Sequence, residues 1–305
     1  MGWDTTLNKN MQKYSVAIIG SGPAGLTVAL QLKRMGISAC LFESSHLGGL
    51  LYNANLVENY PGFPRGVSGV KLVNLFVKQI EHIGVDVLSE RVISVEYDGE
   101  NFIIKTEKDE YLTEIVVVAS GTKARQFDDA LIDSGVKKYV FYEVRELLDV
   151  AERKIIIVGA GDAAFDYALN LARDNNIVIL NRGTQVRALG LLQERVEKNE
   201  KIVYLENAQV KQVAVSAAES LAVEVIHQGN VEIMEASYLL GALGRIPNLD
   251  FLREGVLSEE KEFVARGTLY FIGDVRNGIF RQTAIAAGDG LRAAMRIEKI
   301  LKEKV

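Results

Sequence analysis

The decisive stretch of this 305-residue chain reads Ser15-Val16-Ala17-Ile18-Ile19-Gly20-Ser21-Gly22-Pro23-Ala24-Gly25. Its apolar first half predicts a buried β-strand, and the apolar positions that follow recur at helical spacing until Gly36. Glycines spaced Gly-x-Gly-x-x-Gly between a strand and a helix permit a tight turn, a close pyrophosphate and close helix–sheet packing. The helix N-terminus adds amide donors. The stretch therefore predicts a dinucleotide site formed by Gly20, Gly22, Pro23, Ala24 and Gly25.

An acidic residue completes this first pattern. The next predicted strand, Ala39–Phe42, ends in Glu43. A carboxylate at the end of the second strand of such a unit accepts hydrogen bonds from a ribose 2′-hydroxyl. We therefore predict that Glu43 binds the ribose of the first dinucleotide.

The same plan occurs a second time. Lys154–Val158 leads into Gly159-Ala160-Gly161-Asp162-Ala163-Ala164 and then into a helical pattern. Each copy continues with β-rich sequence and closes with an apolar strand that runs into glycine. This repetition predicts an α/β protein with two Rossmann-like, three-layer ββα dinucleotide-binding domains. The candidate ligands in the second copy are Gly159, Gly161, Asp162, Ala163 and Gly244.

The second copy differs from the first at the end of its second strand. Asn181 stands there in place of an acid, and Arg182 and Arg187 follow closely. A carboxylate would repel a 2′-phosphate, whereas two guanidinium groups can neutralise one with charge-assisted hydrogen bonds. This difference favours NADPH over NADH in the second site, with NADH as the alternative.

The composition restricts the classes of function. A length of 305 residues exceeds the usual size of one hydrophobic core. The net charge of -5 provides no basic field for nucleic acid, and the apolar runs fall far short of the roughly 20 residues that span a bilayer. We expect a cytoplasmic protein that binds neither nucleic acid nor membrane, with residues 1–13 as a flexible leader. Cys40 is the only cysteine, and the three histidines are too far apart to suggest a metal site.

Four further motifs carry a family resemblance. They are Gly48-Gly49-Leu50-Leu51, Val57–Pro64, Phe271-Ile272-Gly273-Asp274 and Ile279–Ala284. With the two glycine turns, they make the chain similar to the low-molecular-weight thioredoxin reductases from Tyr14 onward. The resemblance implies FAD in the first unit and adds the candidate FAD ligands Gly49, Leu50, Asn59, Ala119, Gly121, Gly273, Asp274, Arg281, Gln282 and Thr283.

The resemblance also implies a domain order. An FAD domain would consist of residues 14–122 and 246–305, with an NAD(P)H domain of residues 123–245 inserted into it. The chain crossings near Gly121–Arg125 and Gly244–Asn248 would act as hinges. Asp274 would hold the ribityl chain, and the helix after it would direct its N-terminus at the isoalloxazine ring. A homodimer is expected on the same basis.

The chain departs from that family at one decisive place. Thioredoxin reductases carry a Cys-x-x-Cys pair shortly before the second glycine turn, and here Tyr142 and Arg145 occupy those positions. Neither residue can exchange a disulfide, so an internal dithiol relay is chemically excluded. Tyr142 is instead a candidate neighbour of the flavin, with ordinary packing between the domains as the equal alternative.

A sibling group also lacks these cysteines. Tyr142-Glu143-Val144 and Asp166-Tyr167-Ala168 are similar to motifs of the thioredoxin-reductase-type ferredoxin (flavodoxin)–NADP reductases. Against that group, Arg281-Gln282-Thr283 is of the thioredoxin-reductase kind, and the sequence ends at Val305 without the C-terminal extension of such reductases. The resemblance therefore leaves the electron acceptor open.

These observations lead to one main hypothesis and two alternatives. We expect an FAD-dependent NAD(P)H oxidoreductase in which NADPH reduces FAD and electrons leave to an external acceptor. Ferredoxin or flavodoxin is the favoured acceptor, and a small oxidant such as a quinone or oxygen is possible. No protein residue needs to act as a catalytic base, because the cofactors carry the reactivity. The alternatives are a thioredoxin or disulfide reductase without an internal dithiol, and a regulatory flavoprotein with a vestigial nicotinamide site.

Overall fold

A computed structural model describes residues 11–216 and 220–303 of the chain. Its α-helices are α1 (Pro23–Arg34), α2 (Gly69–Ile83), α3 (Asp162–Leu171), α4 (Gly190–Glu197), α5 (Glu254–Ser258), α6 (Glu260–Arg266) and α7 (Thr283–Glu303). Its strands are β1 (Gln12–Ile19), β2 (Ala39–Phe42), β3 (Asp86–Leu88), β4 (Val92–Tyr97), β5 (Phe102–Thr106), β6 (Glu110–Val118), β7 (Thr122–Ala124), β8 (Val140–Phe141), β9 (Lys154–Val158), β10 (Asn176–Leu180), β11 (Ile202–Leu205), β12 (Ala208–Val215), β13 (Leu221–His227), β14 (Asn230–Ala236), β15 (Tyr238–Gly241), β16 (Arg245–Pro247) and β17 (Leu269–Phe271).

The first unit is built on a sheet in the order β3-β2-β1-β6-β5-β4. Strands β3, β2, β1 and β6 are parallel, and the long strand β6 divides its far edge between two partners. Its first half pairs antiparallel with β5, and its second half pairs parallel with β17. The C-terminal part of the chain thereby returns to the first sheet. Strands β1 and β6 are covered on both faces, which is why they read as nearly continuous apolar runs.

Separate cores cover the two faces of this sheet. On one face, α1 and α7 pack their apolar sides against the sheet, with Leu32, Ala294 and Ile297 fully buried. On the other face, β4 and β5 pack Val95 and Ile104 against it, together with aromatic residues from α6 and β5. This arrangement places helices, parallel sheet and a β-meander in three layers.

The second unit repeats this layering. Its sheet has the order β11-β10-β9-β15-β8, and all of its pairings are parallel. Helices α3 and α4 cover one face, where Phe165, Leu171 and Val196 are buried. The antiparallel sheet β12-β13-β14 covers the other face with Val213 and Val223. Because its residues lie between β6 and β17 in the sequence, the second unit is inserted in the first, and the predicted fold class is confirmed.

A short ribbon connects the two units. Strands β7 and β16 pair antiparallel, with Thr122 opposite Pro247. The Ser120 hydroxyl donates to the backbone oxygen of Asn248 at 2.6 Å, and the Asn248 N–H donates to the Gly121 oxygen at 3.1 Å. The predicted domain boundaries fall on this ribbon.

The predicted leader extends too far into the chain. Residues 1–10 lie outside the described residues, but Gln12 and Lys13 already belong to β1. They pair with Tyr111 and Leu112 of β6, because β6 begins early enough to provide backbone partners for them. Sequence patterning missed this extension because these two side chains are polar and exposed.

Candidate functional site

A cavity of about 840 Å³ lies where the two units meet. It is within the range typical of ligand pockets. Most of the predicted FAD ligands line it: Gly20, Gly22, Pro23, Ala24, Glu43, Gly49, Leu50, Asn59, Ala119, Gly121, Asp274, Arg281, Gln282 and Thr283. Asp162 and Ala163, at the start of α3 in the second unit, line the same cavity. The structure thus directs the N-termini of α1 and α3 at one shared space.

The first glycine turn is tightly packed on its inner side. A Cβ on Gly20, which has φ +101°, would lie 2.5 Å from the backbone oxygen of Ala119. A Cβ on Gly25 would lie 1.9 Å from the oxygen of Gly20. Gly22, by contrast, has no atom within 4 Å of such a Cβ. The space beside Gly22 is therefore open, as the approach of a pyrophosphate requires.

The second glycine turn reproduces these contacts. A Cβ on Gly159, which has φ +147°, would lie 2.4 Å from the backbone oxygen of Ala242. Gly161 has open space at its Cβ position, as Gly22 does. Gly161 and Gly22 are the N-cap residues of α3 and α1, and neither helix has a side-chain cap on its first amides. Both helix ends therefore retain N–H groups that can bind a phosphate.

Glu43 lies between the first turn and the loop after β2. One carboxylate oxygen accepts the Ser21 N–H at 3.0 Å and the Ser21 hydroxyl at 2.5 Å. The other accepts the Ser45 N–H at 2.8 Å. These bonds fix the carboxylate at the wall of the cavity, where a ribose hydroxyl can reach it.

The C-terminal motif contributes a further part of the cavity wall. Gly273 has φ +70°, and a Cβ there would lie 2.9 Å from that of Ala24. Burial raises the pKa of the Asp274 carboxyl, and the Arg281 guanidinium partly opposes this shift. Gln282 accepts a hydrogen bond of 2.7 Å from the Asn59 side chain. This bond joins Val57–Pro64 to Ile279–Ala284, two motifs that the sequence resemblance had assigned to one FAD site.

The remaining second-site candidates lie outside the cavity lining. The Asn181 side chain is buried and donates to the Gln185 oxygen at 3.2 Å and to the Tyr204 hydroxyl at 2.8 Å. It shapes the loop after β10 and has no donor left for a cofactor. Within residues 11–216 and 220–303, the exposed side chains of Arg182 and Arg187 have no carboxylate partner.

Two backbone features complete the placement of the second-site candidates. The Arg187 N–H donates to the Ala160 oxygen at 2.8 Å, which links the arginine loop to the second glycine turn. Gly244 has φ +99° and lies on the connecting ribbon, where its oxygen accepts the Arg125 N–H at 2.9 Å. The Asp162 carboxylate accepts the Leu189 N–H at 2.8 Å and so fixes the loop before α4.

Tyr142 packs within the second unit. Its hydroxyl accepts the Phe127 N–H at 3.1 Å, and the two rings are tilted with centroids 5.8 Å apart. A Cβ on Gly241 would lie 2.9 Å from the Tyr142 ring. Tyr142 is not among the lining residues of the cavity, so this arrangement gives no support to its role as a flavin neighbour.

Sequence analysis did not single out several polar residues of the cavity as ligands. Glu143 and Arg245 form an ion pair of 2.9 Å in which both side chains are largely buried. Arg245 also donates to the side chain and backbone of Thr122 on the ribbon. Glu143 additionally accepts a hydrogen bond from buried Asn53. The sequence signals for this cluster were the adjacency of Arg245 to Gly244 and the place of Glu143 in the motif Tyr142-Glu143-Val144.

Asp166 is a second residue that the sequence placed in a motif without a role. It lies on α3, four positions after Asp162 and on the same helix face, and both residues line the cavity. Its carboxylate accepts the Asn55 N–H at 2.8 Å. Burial raises its pKa to about 6, although backbone N–H groups oppose the shift. This spacing on one helix face was the available sequence signal.

The arrangement fits two dinucleotides. Each unit presents uncapped amides beside an open glycine, and the cavity joins them. Among the described residues, no cluster of His, Cys, Asp or Glu can hold a metal ion. In the same part of the chain, no helix is long and apolar enough to cross a bilayer.

Comparison with known proteins adds the family. Residues 14–290 match the family described as pyridine nucleotide-disulphide oxidoreductase. The thioredoxin reductase of Chlamydia pneumoniae is 29% identical over 304 residues, which cover 93% of this chain and 97% of that protein. That of Chlamydia trachomatis is also 29% identical, over 96% of this chain and all of its own length.

Solved structures agree with this assignment of the fold. The chain resembles Lactococcus lactis thioredoxin reductase in the FR conformation with a TM-score of 0.83, at 27% identity and covering 95% and 99% of the two chains. For thioredoxin reductase from Streptococcus pyogenes the TM-score is 0.59, at 25% identity and covering 96% and 100%. FAD and NADPH are the cofactors used by this family.

Proposed function

The chain belongs to the pyridine nucleotide-disulphide oxidoreductase family, and from this premise we propose an FAD-dependent NADPH oxidoreductase that reduces an external disulfide without an internal dithiol. The observation that carries the proposal is the shared cavity, which is lined by the first glycine turn and by Asp162 and Ala163 at the start of α3. When bound, FAD and NADPH supply the hydride-transfer chemistry. The protein contributes binding, orientation and the exclusion of water.

Each binding role falls to residues already described. The amides at Gly22 and Gly161 receive the pyrophosphates, and Glu43 accepts the ribose hydroxyls of the first dinucleotide. Arg182 and Arg187 neutralise the 2′-phosphate of NADPH. No described side chain needs to gain or lose a proton for the hydride to move.

The acceptor must lie outside the chain. Cys40, the only cysteine, is fully buried in β2, and burial raises the pKa of its thiol. Tyr142 and Arg145 occupy the dithiol positions of the resemblance. The proposed reaction is NADPH + H⁺ + RSSR → NADP⁺ + 2 RSH, in which two electrons and two hydrogens reach the disulfide. The names of the 29%-identical relatives support a disulfide as the acceptor.

A second candidate acceptor is a ferredoxin or flavodoxin. It is favoured by the residues at the dithiol positions, because a one-electron carrier needs no thiol on the enzyme. The corresponding reaction is NADPH + 2 carrier(ox) → NADP⁺ + H⁺ + 2 carrier(red). In either case we expect the homodimer that the family resemblance implies, which light scattering of the purified protein can test.

The deciding experiment begins with the FAD-loaded protein mixed anaerobically with NADPH. We expect the flavin to be bleached within seconds. A flavin that stays oxidised for minutes would favour the regulatory alternative with a vestigial nicotinamide site. Turnover is then compared with oxidised thioredoxin, an aromatic disulfide, ferredoxin and flavodoxin. Turnover with a disulfide supports the proposal, and turnover restricted to the one-electron carriers supports the second candidate.

A further inference from the structure

One segment of the first unit is contacted at several points by residues of the second unit. Residues 53–58, which we call the strap, run along the cavity after the 3-10 turn Gly49–Asn53. The Asn53 side chain is bonded to Glu143, and the Asn55 N–H donates to Asp166. Every bond described here joins residues at least 90 positions apart in the sequence. They therefore connect the two units and not neighbouring turns.

Arginines of the second unit complete the grip. Arg195 of α4 donates twice to the Glu58 carboxylate, at 2.7 and 2.9 Å, and this contact lowers the pKa of Glu58. Arg173, in the turn after α3, donates to the Asn55 side chain. The fork geometry of Arg195 fits the carboxylate and fixes its orientation as well as its distance. Both α3 and α4 thus contact the strap.

The strap itself is firmly held by the first unit. Val57 pairs with Val67 through backbone bonds of 2.8 and 3.0 Å, and the Ala54 oxygen accepts the Gly69 N–H at 3.0 Å. Val57 and Val67 are buried in a small core with Leu72. Because the strap is anchored in this way, the contacts that the second unit makes with it hold the second unit to the first.

The position of Tyr142 indicates why a fixed arrangement suits this chain. Tyr142 and Arg145 belong to the second unit, and of these two positions Arg145 lines the cavity and Tyr142 does not. A dithiol at these positions would have only one of its two sulfurs at the cavity in this arrangement. This chain has no such dithiol, and the shared cavity already brings the two helix N-termini together. It therefore gains nothing from a second arrangement.

We propose that the strap is a clasp that holds the second unit over the cavity, with Asp166, Arg173 and Arg195 as positioning residues, so that this chain works from one arrangement of its units. The inference rests on the proposed function, because the benefit of the clasp is the alignment of nicotinamide and flavin. The restraint that the clasp places on the two units can be measured separately from flavin reduction. The clasp predicts that reduction of the flavin involves no rotation of the units.

The test uses spin labels on the FAD-loaded protein. Lys78→Cys on α2 and Glu200→Cys after α4 place one nitroxide on each unit, at exposed positions. Cys40 is buried and stays unlabelled. Pulsed EPR, with labelled chains diluted in unlabelled ones, gives the distribution of distances between the units. We expect one population that NADP⁺ does not change. Two populations in the otherwise native chain would overturn the clasp.

Variants then release the clasp. Combining Asp166→Ala, which removes the acceptor of the Asn55 N–H, with Arg195→Gln should shift the ratio of open to closed chains by roughly 10- to 100-fold. A second distance population should appear, and flavin reduction at saturating NADPH should slow. The exchange Glu58→Arg with Arg195→Glu should retain the native distribution. The control Lys198→Gln removes the ion pair with Glu194 at the C-terminal end of α4 and should change nothing. A native distribution in the double variant would refute the clasp.

The outcomes separate this inference from the proposed function. One distance population in a chain whose flavin NADPH does not reduce would keep the clasp and remove the proposed function. Two populations together with rapid reduction would keep the function and remove the clasp.

Discussion

The second glycine turn offers a prediction in which folding and binding separate cleanly. Gly159 and Gly161 are two residues apart, yet their surroundings are opposite. A Cβ at Gly159 would lie 2.4 Å from the Ala242 oxygen, and the residue has φ +147°, where side chains are strained. A Cβ at Gly161 would meet nothing within 4 Å. Alanine should therefore lower the stability at Gly159 and weaken NADP⁺ binding at Gly161.

The magnitudes follow from these contacts. For Gly159→Ala, backbone strain and displacement of the Ala242 carbonyl should cost about 3 kcal/mol of stability. That corresponds to a melting temperature lower by about 6–12 °C for a unit of this size. For Gly161→Ala, the stability cost should stay below about 1 kcal/mol. The added methyl group occupies the approach to the α3 amides, so NADP⁺ affinity should fall by about 10- to 100-fold.

Two measurements on the same proteins test this pair. Circular dichroism gives the melting temperature, and titration of the FAD-loaded protein with NADP⁺ gives the dissociation constant. Gly255→Ala, in α5 and with open space at its Cβ, is the control and should match the native protein in both. Native stability in Gly159→Ala, or native NADP⁺ affinity in Gly161→Ala, would refute the assignment of the turn.

Three further predictions concern single properties. Burial raises the pKa of the Asp166 carboxyl from 3.8 to about 6. The stabilisation of the native state by Asp166, measured against Asp166→Asn by urea unfolding, should therefore be full below pH 4 and should be lost as the pH rises to 6, by up to about 1.4 kcal/mol per pH unit. A stability difference that does not depend on pH would contradict this prediction. Replacing Arg182 and Arg187 together by Gln should weaken NADPH binding about 10- to 100-fold and leave NADH binding nearly unchanged, and an equal loss for both nucleotides in titrations would exclude a 2′-phosphate site. Because Cys40 is buried, it should not react with maleimide in the native protein, and mass spectrometry would record this. The treated enzyme should keep its NADPH-dependent turnover. Loss of turnover in proportion to labelling would contradict this prediction.

Much of the fold could be predicted because its signals are local. The strand, glycine turn and helix of each unit lie within about 20 consecutive residues, and their apolar spacing reflects burial against one sheet. The start of β1 was placed too late because Gln12 and Lys13 are held by backbone pairing, which leaves no trace in side-chain polarity. Backbone hydrogen bonding at a strand end is insensitive to residue type.

The candidate site was predictable only in part. Glu43 and the glycines follow from spacing, and the structure places them at the cavity or directly in the turns that border it. Asn181 did not behave as its position suggested, because Tyr204 and the loop carbonyl of Gln185 use its donors. A strand-end position specifies where a side chain begins. Its hydrogen-bond partners depend on which residues the tertiary structure places next to it.

The sequence by itself determined that two dinucleotide-binding units exist and that no dithiol connects them, because turn geometry and cysteine count are local properties. Only the tertiary structure decided that both helix N-termini face one cavity and that Asn53, Asn55 and Glu58 are held from the other unit. These pairs are separated by 90, 111 and 137 positions in the sequence. Their contacts depend on how two independently layered units are placed against each other, and no local pattern encodes that placement.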